Sequence, residues 1–331
     1  MLKLHLRDDE PTKRHSDDRT DFNVIVPLKV YGDESADATK SRVFAVAGIA
    51  GSDDESALAS IAWLRRTRGK PFHANKCESE YAKTDRDKHD ENLTLYKNLT
   101  CVLVESHLVG VAIALDLQSF HECLPDALPD VPYYKCFTDV VRTCADMARR
   151  FNTNPNETDR VRLEFVFDSR FESNGTAGTI YAHFCALPEW KNAAFLDANI
   201  AFERGSAEPR LEMPDLFARE SMKELERQIT RARPKPRASF TALEQATRDG
   251  TKKFIWVNYD RRYCERWRDK IHSLEYRGLM KRYARWLSDT KRIQNGHPHD
   301  TVSNRVTFYT WLENQEALGR KPIDDDERDT Q

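Results

Sequence analysis

The run Leu108–Leu115 most constrains how this chain can fold, because it is apolar on both faces of an extended strand. A strand of that kind must be covered on both sides, as the central strands of α/β sheets are. Further apolar strands are predicted at Leu28–Asp33, Arg42–Ile49, Val161–Asp168 and Ala193–Phe202. The short connection between the first two favours an antiparallel hairpin, so we expect a mixed sheet.

Segments with helical periodicity alternate with these strands. They are predicted at Asp53–Arg66, His89–Val104, Tyr133–Phe151, Thr176–Leu187 and Pro214–Ile229. In the first of them, Leu58, Ile61 and Leu64 recur about one turn apart, which is the spacing of an amphipathic helix. Strands that alternate with helices predict an α/β fold with a sheet flanked by helices on both sides.

Composition divides the chain into five regions. The predicted regions are a disordered lead-in (1–22), a main α/β domain (23–230), a basic linker (231–250), a helical basic appendage (251–315) and a disordered acidic tail (316–331). Arg231–Arg237 supports the linker, because prolines that alternate with basic residues form semi-rigid spacers.

The overall charge excludes few functions, since 52 basic and 54 acidic residues give a net charge of −2. Any nucleic-acid surface must therefore be local. Thr251–Arg292 holds 13 Lys or Arg against 5 Asp or Glu, with aromatic residues between them. Such a stretch can follow a phosphate backbone and stack on bases. Tyr263, Trp267, Ile271 and Leu274 have helical spacing, which favours packing on the core. We therefore take the aromatic residues as mostly core and expect the basic face to be the nucleic-acid surface.

The sequence predicts a cytoplasmic protein. No stretch approaches about 18 consecutive apolar residues, so no membrane span is expected. Met1–Glu10 lacks the apolar core of a signal peptide. The seven cysteines are scattered without a Cys-x-x-Cys pair, which favours reduced thiols over disulfides or a zinc site.

Three acidic residues far apart in sequence each stand at the end of a predicted core element. Asp33 and Asp168 end strands, and Asp215 begins a helix. Carboxylate oxygens that meet in this way suit Mg²⁺ or Mn²⁺ rather than zinc. Two such ions, about 4 Å apart, form the centre of many phosphodiester-cleaving sites. Glu34 points to the opposite face of a regular strand from Asp33. We therefore prefer Asp33 as a metal ligand and expect Glu34 to complete or support the site.

An ordinary structural role competes with this interpretation. Asp and Glu are frequent at strand ends as turn formers and at helix starts as caps. Asp215 follows Pro214, a typical first helical residue. Asp116 also follows an apolar strand and is a rival to Asp168.

The order of these motifs resembles the domain-of-unknown-function 3800 family, which is regarded as ribonuclease H-like. The matching motifs, in chain order, are Asp33-Glu34-Ser35, Phe72-His73, Asp168, and Asp215-Leu216 with Ala218 and Glu220. The chain departs from the family pattern at Ala36, where the family has glycine, and at Pro214, where it has alanine. The likeness covers about residues 28–230 and leaves the last hundred unexplained.

The resemblance implies a mixed sheet of ribonuclease H-like type, and it adds two candidate site residues. His73 lies in a polar loop and can shuttle a proton or contact phosphate, since histidine titrates near neutral pH. A surface histidine without a role is the alternative. Glu220 stands roughly 140° from Asp215 around a regular helix. We therefore expect it to support the site or to pair with a nearby base.

The leading hypothesis is a metal-dependent nuclease that hydrolyses phosphodiester bonds of RNA or DNA. Asp33, Asp168, Asp215 and Glu34 would hold one or two Mg²⁺ or Mn²⁺ ions, and nucleic acid is the expected partner. Two alternatives stay open. One is a non-catalytic module that binds nucleic acid or protein, and the other is a hydrolase of a small phosphoester. Fold analogy does not choose among these substrates.

Overall fold

The structure is a computed structural model. It describes residues 26–37, 42–123, 132–151, 161–169, 174–186, 190–205, 208–231, 233–248 and 250–273, together with 283, 285–288, 293–294, 297–298 and 308. The predicted lead-in (1–22) and acidic tail (316–331) lie outside the described residues.

The order of elements follows the predicted alternation of strands and helices. The strands are β1 (Val26–Ala36), β2 (Val43–Gly51), β3 (Val109–Asp116), β4 (Val161–Asp168), β5 (Leu196–Glu203), β6 (Thr247–Arg248), β7 (Thr251–Lys252), β8 (Phe254–Tyr259), β9 (Ile293–Gln294) and β10 (His297–Pro298). The α-helices are α1 (Asp53–Thr67), α2 (Ala74–Ser79), α3 (Arg86–Glu105), α4 (Leu117–Cys123), α5 (Pro132–Phe151), α6 (Asn174–Cys185), α7 (Glu212–Thr230), α8 (Ala238–Gln245) and α9 (Arg261–Ser273). Short 3₁₀ helices at Lys191–Phe195 and Pro209–Leu211 precede β5 and α7.

Six strands form one sheet in the order β5-β4-β1-β2-β3-β8. β2 is antiparallel to β1 and to β3, whereas β4 is parallel to β1, β5 to β4 and β8 to β3. Within this sheet every strand except β2 therefore points the same way. The last residues of β1, β3, β4, β5 and β8 share one edge, which we call the carboxyl edge. This topology confirms the predicted mixed α/β sheet.

Helices cover both faces of the sheet. On one face, Val30, Val46 and Phe165 belong to the same core cluster as Val140 of α5. On the other face, Ala47 of β2 belongs to a cluster that includes residues of α7. The burial of β3 on both faces confirms that the apolar run 108–115 is a central strand.

The structure differs from the predicted domain boundary at residue 230. The predicted linker contains α8, and β8 completes the main sheet by pairing with β3 from Gly110↔Phe254 to Leu115↔Tyr259. The partner of β8 lies far back in the chain, and composition does not reveal such a pairing. Residues 254–259 are therefore part of the main domain rather than of an appendage.

Helix α1 forms as predicted but buries a different face. Ser52 caps its start in a capping box with Glu55. Leu58 and Ile61 are 68% and 49% exposed, whereas Trp63 is fully buried. Trp63 packs edge-on against Phe72 with ring centroids 5.4 Å apart. The tryptophan, rather than the spacing of the smaller apolar residues, decides which face packs on the core.

Helix α9 supports the packing interpretation for its aromatic residues. Trp267 is buried and lies 6.0 Å from Phe120, measured between ring centroids. Tyr263 stacks on Tyr259 at 3.8 Å. The side chains of Ile271 and Leu274, which the same prediction included, lie outside the described part.

None of the helices in the described ranges is long and apolar enough to cross a bilayer.

Candidate active site

Two of the three predicted aspartates stand at the ends of adjacent parallel strands. β1 and β4 pair in register up to Gly32↔Phe167, so the next residues, Asp33 and Asp168, are neighbours at the carboxyl edge. Asp33 lies two residues after Tyr31, and Asp168 lies two residues after Val166. Because side chains alternate along a strand, each aspartate points to the same face of the sheet as that earlier residue. The side chains of Tyr31 and Val166 form one apolar cluster with Leu211, which immediately precedes α7. Both aspartates therefore face the start of α7.

Asp215 reaches the same edge from the first turn of α7. Its Oδ2 accepts a hydrogen bond from the backbone N–H of Ala74 at 2.9 Å. The same oxygen lies 3.9 Å from Nδ1 of His73. Carboxylates are stabilised near a helix N-terminus by the backbone dipoles. Asp215 thus ties the loop that carries His73 to the carboxyl edge.

The electrostatics of Asp33 show that these carboxylates lie close together. Asp33 is 5% exposed. Burial is the main reason that its pKa is held well above the usual value, and the charges of Asp215, Glu34 and Asp168 raise the pKa further. The backbone N–H of Glu34, which donates to Asp33 Oδ1 at 2.8 Å, acts in the opposite direction. The structure therefore places Asp33, Asp168 and Asp215 near one another at the carboxyl edge, with Glu34 next to Asp33 in the chain.

A pocket of about 110 Å³ opens beside these residues. Asp33, His73 and Asp215 line it, together with two residues that the sequence analysis did not identify, Arg204 and Glu212. A water molecule occupies about 30 Å³ in the liquid. The pocket therefore has room for a small polar group such as a phosphate.

Glu212 anchors the loop in front of the pocket. Its Oε2 accepts a hydrogen bond from Trp63 Nε1 at 2.7 Å. Burial raises its pKa, although the backbone N–H of Phe72 and the Trp63 indole both donate to it and act against that rise. No local pattern marks this role, because Trp63 lies far away in the sequence. The only indication in the sequence was that Glu212 is a second acidic residue, three positions before Asp215.

Arg204 directly follows β5 and stands at the mouth of the pocket. Its side chain is exposed. Within the described ranges, no hydrogen bond or ion pair engages its guanidinium. A guanidinium beside a carboxylate-lined pocket is well suited to a phosphate oxygen. The indication in the sequence was that Arg204 closely follows a predicted strand.

Glu34 lies on the other face of β1, towards α5. Tyr133, in the first turn of α5, is buried. Burial raises the pKa of its phenol, and among its charged neighbours Glu34 raises it most. Glu34 therefore approaches the carboxyl edge from the opposite side to Asp33, as strand alternation predicted.

Glu220 is not brought to the pocket. It is fully buried, and its Oε1 accepts a hydrogen bond from the Tyr96 hydroxyl at 2.6 Å. The same oxygen lies 3.2 Å from Nη2 of Arg237. The sequence analysis gave two possible roles for Glu220, support of the site or pairing with a nearby base. The structure shows the pairing, so we assign Glu220 a structural role.

Asp116, the rival to Asp168, caps α4. Its Oδ1 accepts from the backbone N–H of Ser119 at 3.1 Å, and its Oδ2 accepts from the Ser119 hydroxyl at 2.6 Å. Both oxygens are thus engaged in starting the next helix. Asp168 is the better candidate, because the pairing of β4 with β1 makes it the neighbour of Asp33.

The donor set fits a divalent cation in its chemistry. Among the residues that the structure describes, no group of three or more His, Cys, Asp or Glu is arranged to hold a metal ion. The oxygens of Asp33, Asp168 and Asp215 are nonetheless the hard ligands that Mg²⁺ and Mn²⁺ prefer. A bound cation would offset the charges that now raise the pKa of Asp33.

No protein-family model matches this sequence, and no curated protein matches it. The resemblance to the domain-of-unknown-function 3800 family therefore stays a prediction. In structure the chain is similar to Bst-RNase HIII in complex with Mn²⁺, with 10% identity and a TM-score of 0.35. That match covers 68% of this chain but only 61% of the other.

The chain is also similar to RNase HII in its complex with PCNA from Archaeoglobus fulgidus. The identity is 10% and the TM-score is 0.29, over 89% of this chain and 91% of that chain. Likenesses of this size establish no activity, ligand or partner for the present chain.

Proposed function

We propose that this protein is a metal-dependent hydrolase of phosphodiester bonds in RNA or DNA. The observation that carries the proposal is the convergence of Asp33, Asp168 and Asp215 at one sheet edge. Asp33 is buried there among other carboxylates, which raise its pKa. Such clusters of like charge are costly in isolation and recur where a protein uses a charged ligand.

Asp33, Asp168 and Asp215 would hold Mg²⁺ or Mn²⁺, with Glu34 supporting them from the other face. When bound, the cation supplies a Lewis acid and lowers the pKa of its water. Asp215 also fixes the loop of His73 through the N–H of Ala74. The imidazole then stands beside the pocket, where it can give a proton to a leaving oxygen.

Arg204 supports a phosphate ester as the substrate. Its guanidinium would donate to the non-bridging oxygens and orient the ester against the carboxylates. A polynucleotide is longer than this pocket, so the rest of the substrate would lie outside it, along the carboxyl edge.

Helix α9 favours nucleic acid as that substrate. It begins directly after β8, at the same edge, and Arg262 and Arg266 on it are exposed. These arginines would contact the phosphates of a polynucleotide that extends beyond the pocket.

The test is cleavage of labelled single- and double-stranded RNA and DNA with Mg²⁺ or Mn²⁺, by wild type and by Asp168→Asn. We expect the variant to lose activity on the order of 1000-fold without unfolding, because a metal ligand contributes several kcal/mol to the transition state. Glu164→Gln, on the same strand but away from the edge, is the matched control. Retained activity in Asp168→Asn would remove this residue from the site.

The same assay separates the alternatives. Arg204→Ala should weaken substrate binding about tenfold, since a charged hydrogen bond contributes about 1.5 kcal/mol or more. Competition by mononucleotides as strong as by polynucleotides would favour a small phosphoester as substrate. Salt-sensitive binding without turnover, unchanged in Asp168→Asn, would favour a binding module.

A further inference from the structure

Helix α2 lies along α7 with the two helices in register. Near the start of α2, the N–H of Ala74 donates to Asp215. Four residues later on both helices, Arg219 Nε donates to Glu78 Oε2 at 2.7 Å. Four residues are close to one helical turn, so the two contacts are stacked on one side of each helix. The first contact is at the pocket and the second is one turn away from it.

The second contact belongs to a buried network with matched charges. Glu78 is 13% exposed and Arg219 is 7% exposed, counting side chains. Arg237, which precedes α8, pairs with Glu78 and also with Glu220. Burial alone would raise the pKa of Glu78, but Arg237 and Arg219 hold it below its usual value. Glu78 therefore stays ionised at neutral pH and keeps both guanidinium groups.

Helix α2 is too short to be stable by itself, so its position depends on packing against other elements. It has six residues, and isolated helices shorter than about 12 residues are marginal in water. His73 is its N-cap residue, with an extended backbone and no side-chain capping bond. The place of the imidazole is therefore set by where α2 sits on α7.

We propose that the Glu78–Arg219 pair, locked by Arg237, sets the register of α2 on α7 and so holds His73 beside Asp215. Glu78 and Arg219 are positioning residues in this assignment, since neither lines the pocket. Glu212 fixes the chain just before His73 by accepting from the N–H of Phe72. His73 is thus held from both sides. The effect on catalysis rests on the proposed function, whereas the register itself does not.

The first test is hydrogen exchange of the Ala74 amide, which needs no activity. Glu78→Gln and Arg219→Lys should each speed exchange at Ala74 about tenfold or more, because lost anchoring opens α2 locally. Amides of β3 should be unchanged. The matched control is Glu226→Gln, which breaks the partly exposed pair of Glu226 with Lys223 on α7. It should leave Ala74 unaffected.

The second test is a kinetic cycle with His73. Glu78→Gln should lower kcat on the order of 10- to 100-fold with KM changed less than about twofold, since a misplacement of about 1 Å costs that much. In a His73→Ala background, Glu78→Gln should cost nothing more, because its effect acts through the imidazole. A purely structural role would lower kcat equally in both backgrounds.

Each result decides the proposal. Unchanged exchange at Ala74 in both variants would overturn it, as would losses that multiply in the His73→Ala background. If wild type cleaves no nucleic acid, the proposed function fails and the exchange data alone decide whether the pair sets the register. If Glu78→Gln does not fold, Arg219→Lys is measured instead, since lysine keeps the charge but not the directed Nε–H.

Discussion

Helix α7 carries two groups of buried charge that differ in their balance. In its first turn, Asp215 joins Asp33, and the charged neighbours that act most on Asp33 are other carboxylates. One turn later, Arg219 and Glu220 belong to a network in which carboxylates meet guanidinium groups. Both groups are buried, so burial does not distinguish a structural from a functional cluster. The neighbouring charges do, because the charges that act most on Asp33 are those of carboxylates, whereas Glu78 is held by the guanidinium groups of Arg237 and Arg219.

The largest change in stability should come from unbalancing the complete group. Arg237→Met leaves Glu78 and Glu220 with one guanidinium between them, and we expect a loss of about 3 kcal/mol in the free energy of unfolding. Urea denaturation measures it. Arg233→Met, in the same segment but exposed, should change little. Equal stability of the two variants would show that the network stabilises nothing.

A smaller effect of opposite sign is expected where the charges are already unbalanced. In the presence of chelator at neutral pH, Asp33→Asn should raise the free energy of unfolding by about 1 kcal/mol, because it removes a buried charge from among carboxylates. Saturating Mg²⁺ should stabilise wild type but not the variant. A variant less stable than metal-free wild type would contradict this account.

The gain from Asp33→Asn should depend on pH with a defined sign. The pKa of Asp33 is raised above its ordinary value of 3.8, so ionisation of this group destabilises the folded state. Metal-free wild type should therefore lose stability relative to the variant as pH rises from 3.8 through the raised pKa. The difference should be smallest below pH 3.8 and should grow as the pH rises through the raised pKa. A difference that does not change with pH would place its origin elsewhere.

The smallest effect is expected from a partly exposed ion pair on α7. Lys223 Nζ lies 2.8 Å from Glu226 Oε2, with side chains 27% and 28% exposed. Lys223→Gln should cost less than about 0.5 kcal/mol, and high salt should remove the difference. A loss as large as that of Arg237→Met would mean that distance, rather than burial and balance, decides what an ion pair contributes.

The sequence predicted those features that depend on local pattern. Asp33 and Asp168 could be identified because each ends a run of alternating apolar residues, and parallel strands place such ends at one edge. The local sequence around Asp33 and Asp168 does not show which other element packs next to them. Arg237 was assigned to a semi-rigid basic linker because prolines precede it. Its guanidinium is instead held by Glu78 and Glu220, which are distant in sequence.

Helix α1 shows the same limit within one element. The spacing of Leu58 and Ile61 correctly predicted a helix, yet both side chains are exposed. The buried face is set by Trp63, whose indole donates to Glu212 on another helix. Periodicity therefore located the element, while a polar contact across the fold selected the face that packs. Glu212 was missed as a site residue for the same reason.

The pairing of β8 with β3 also bears on how the protein is made. While the ribosome is still synthesising the intervening residues, the outer edge of β3 from Gly110 to Leu115 has no partner strand. At about 5–20 residues per second, that interval lasts on the order of 10 s. An open strand edge can pair with other nascent chains. A chaperone that shields this edge during synthesis should therefore raise the yield of folded protein, and a chain ended at residue 230 should aggregate.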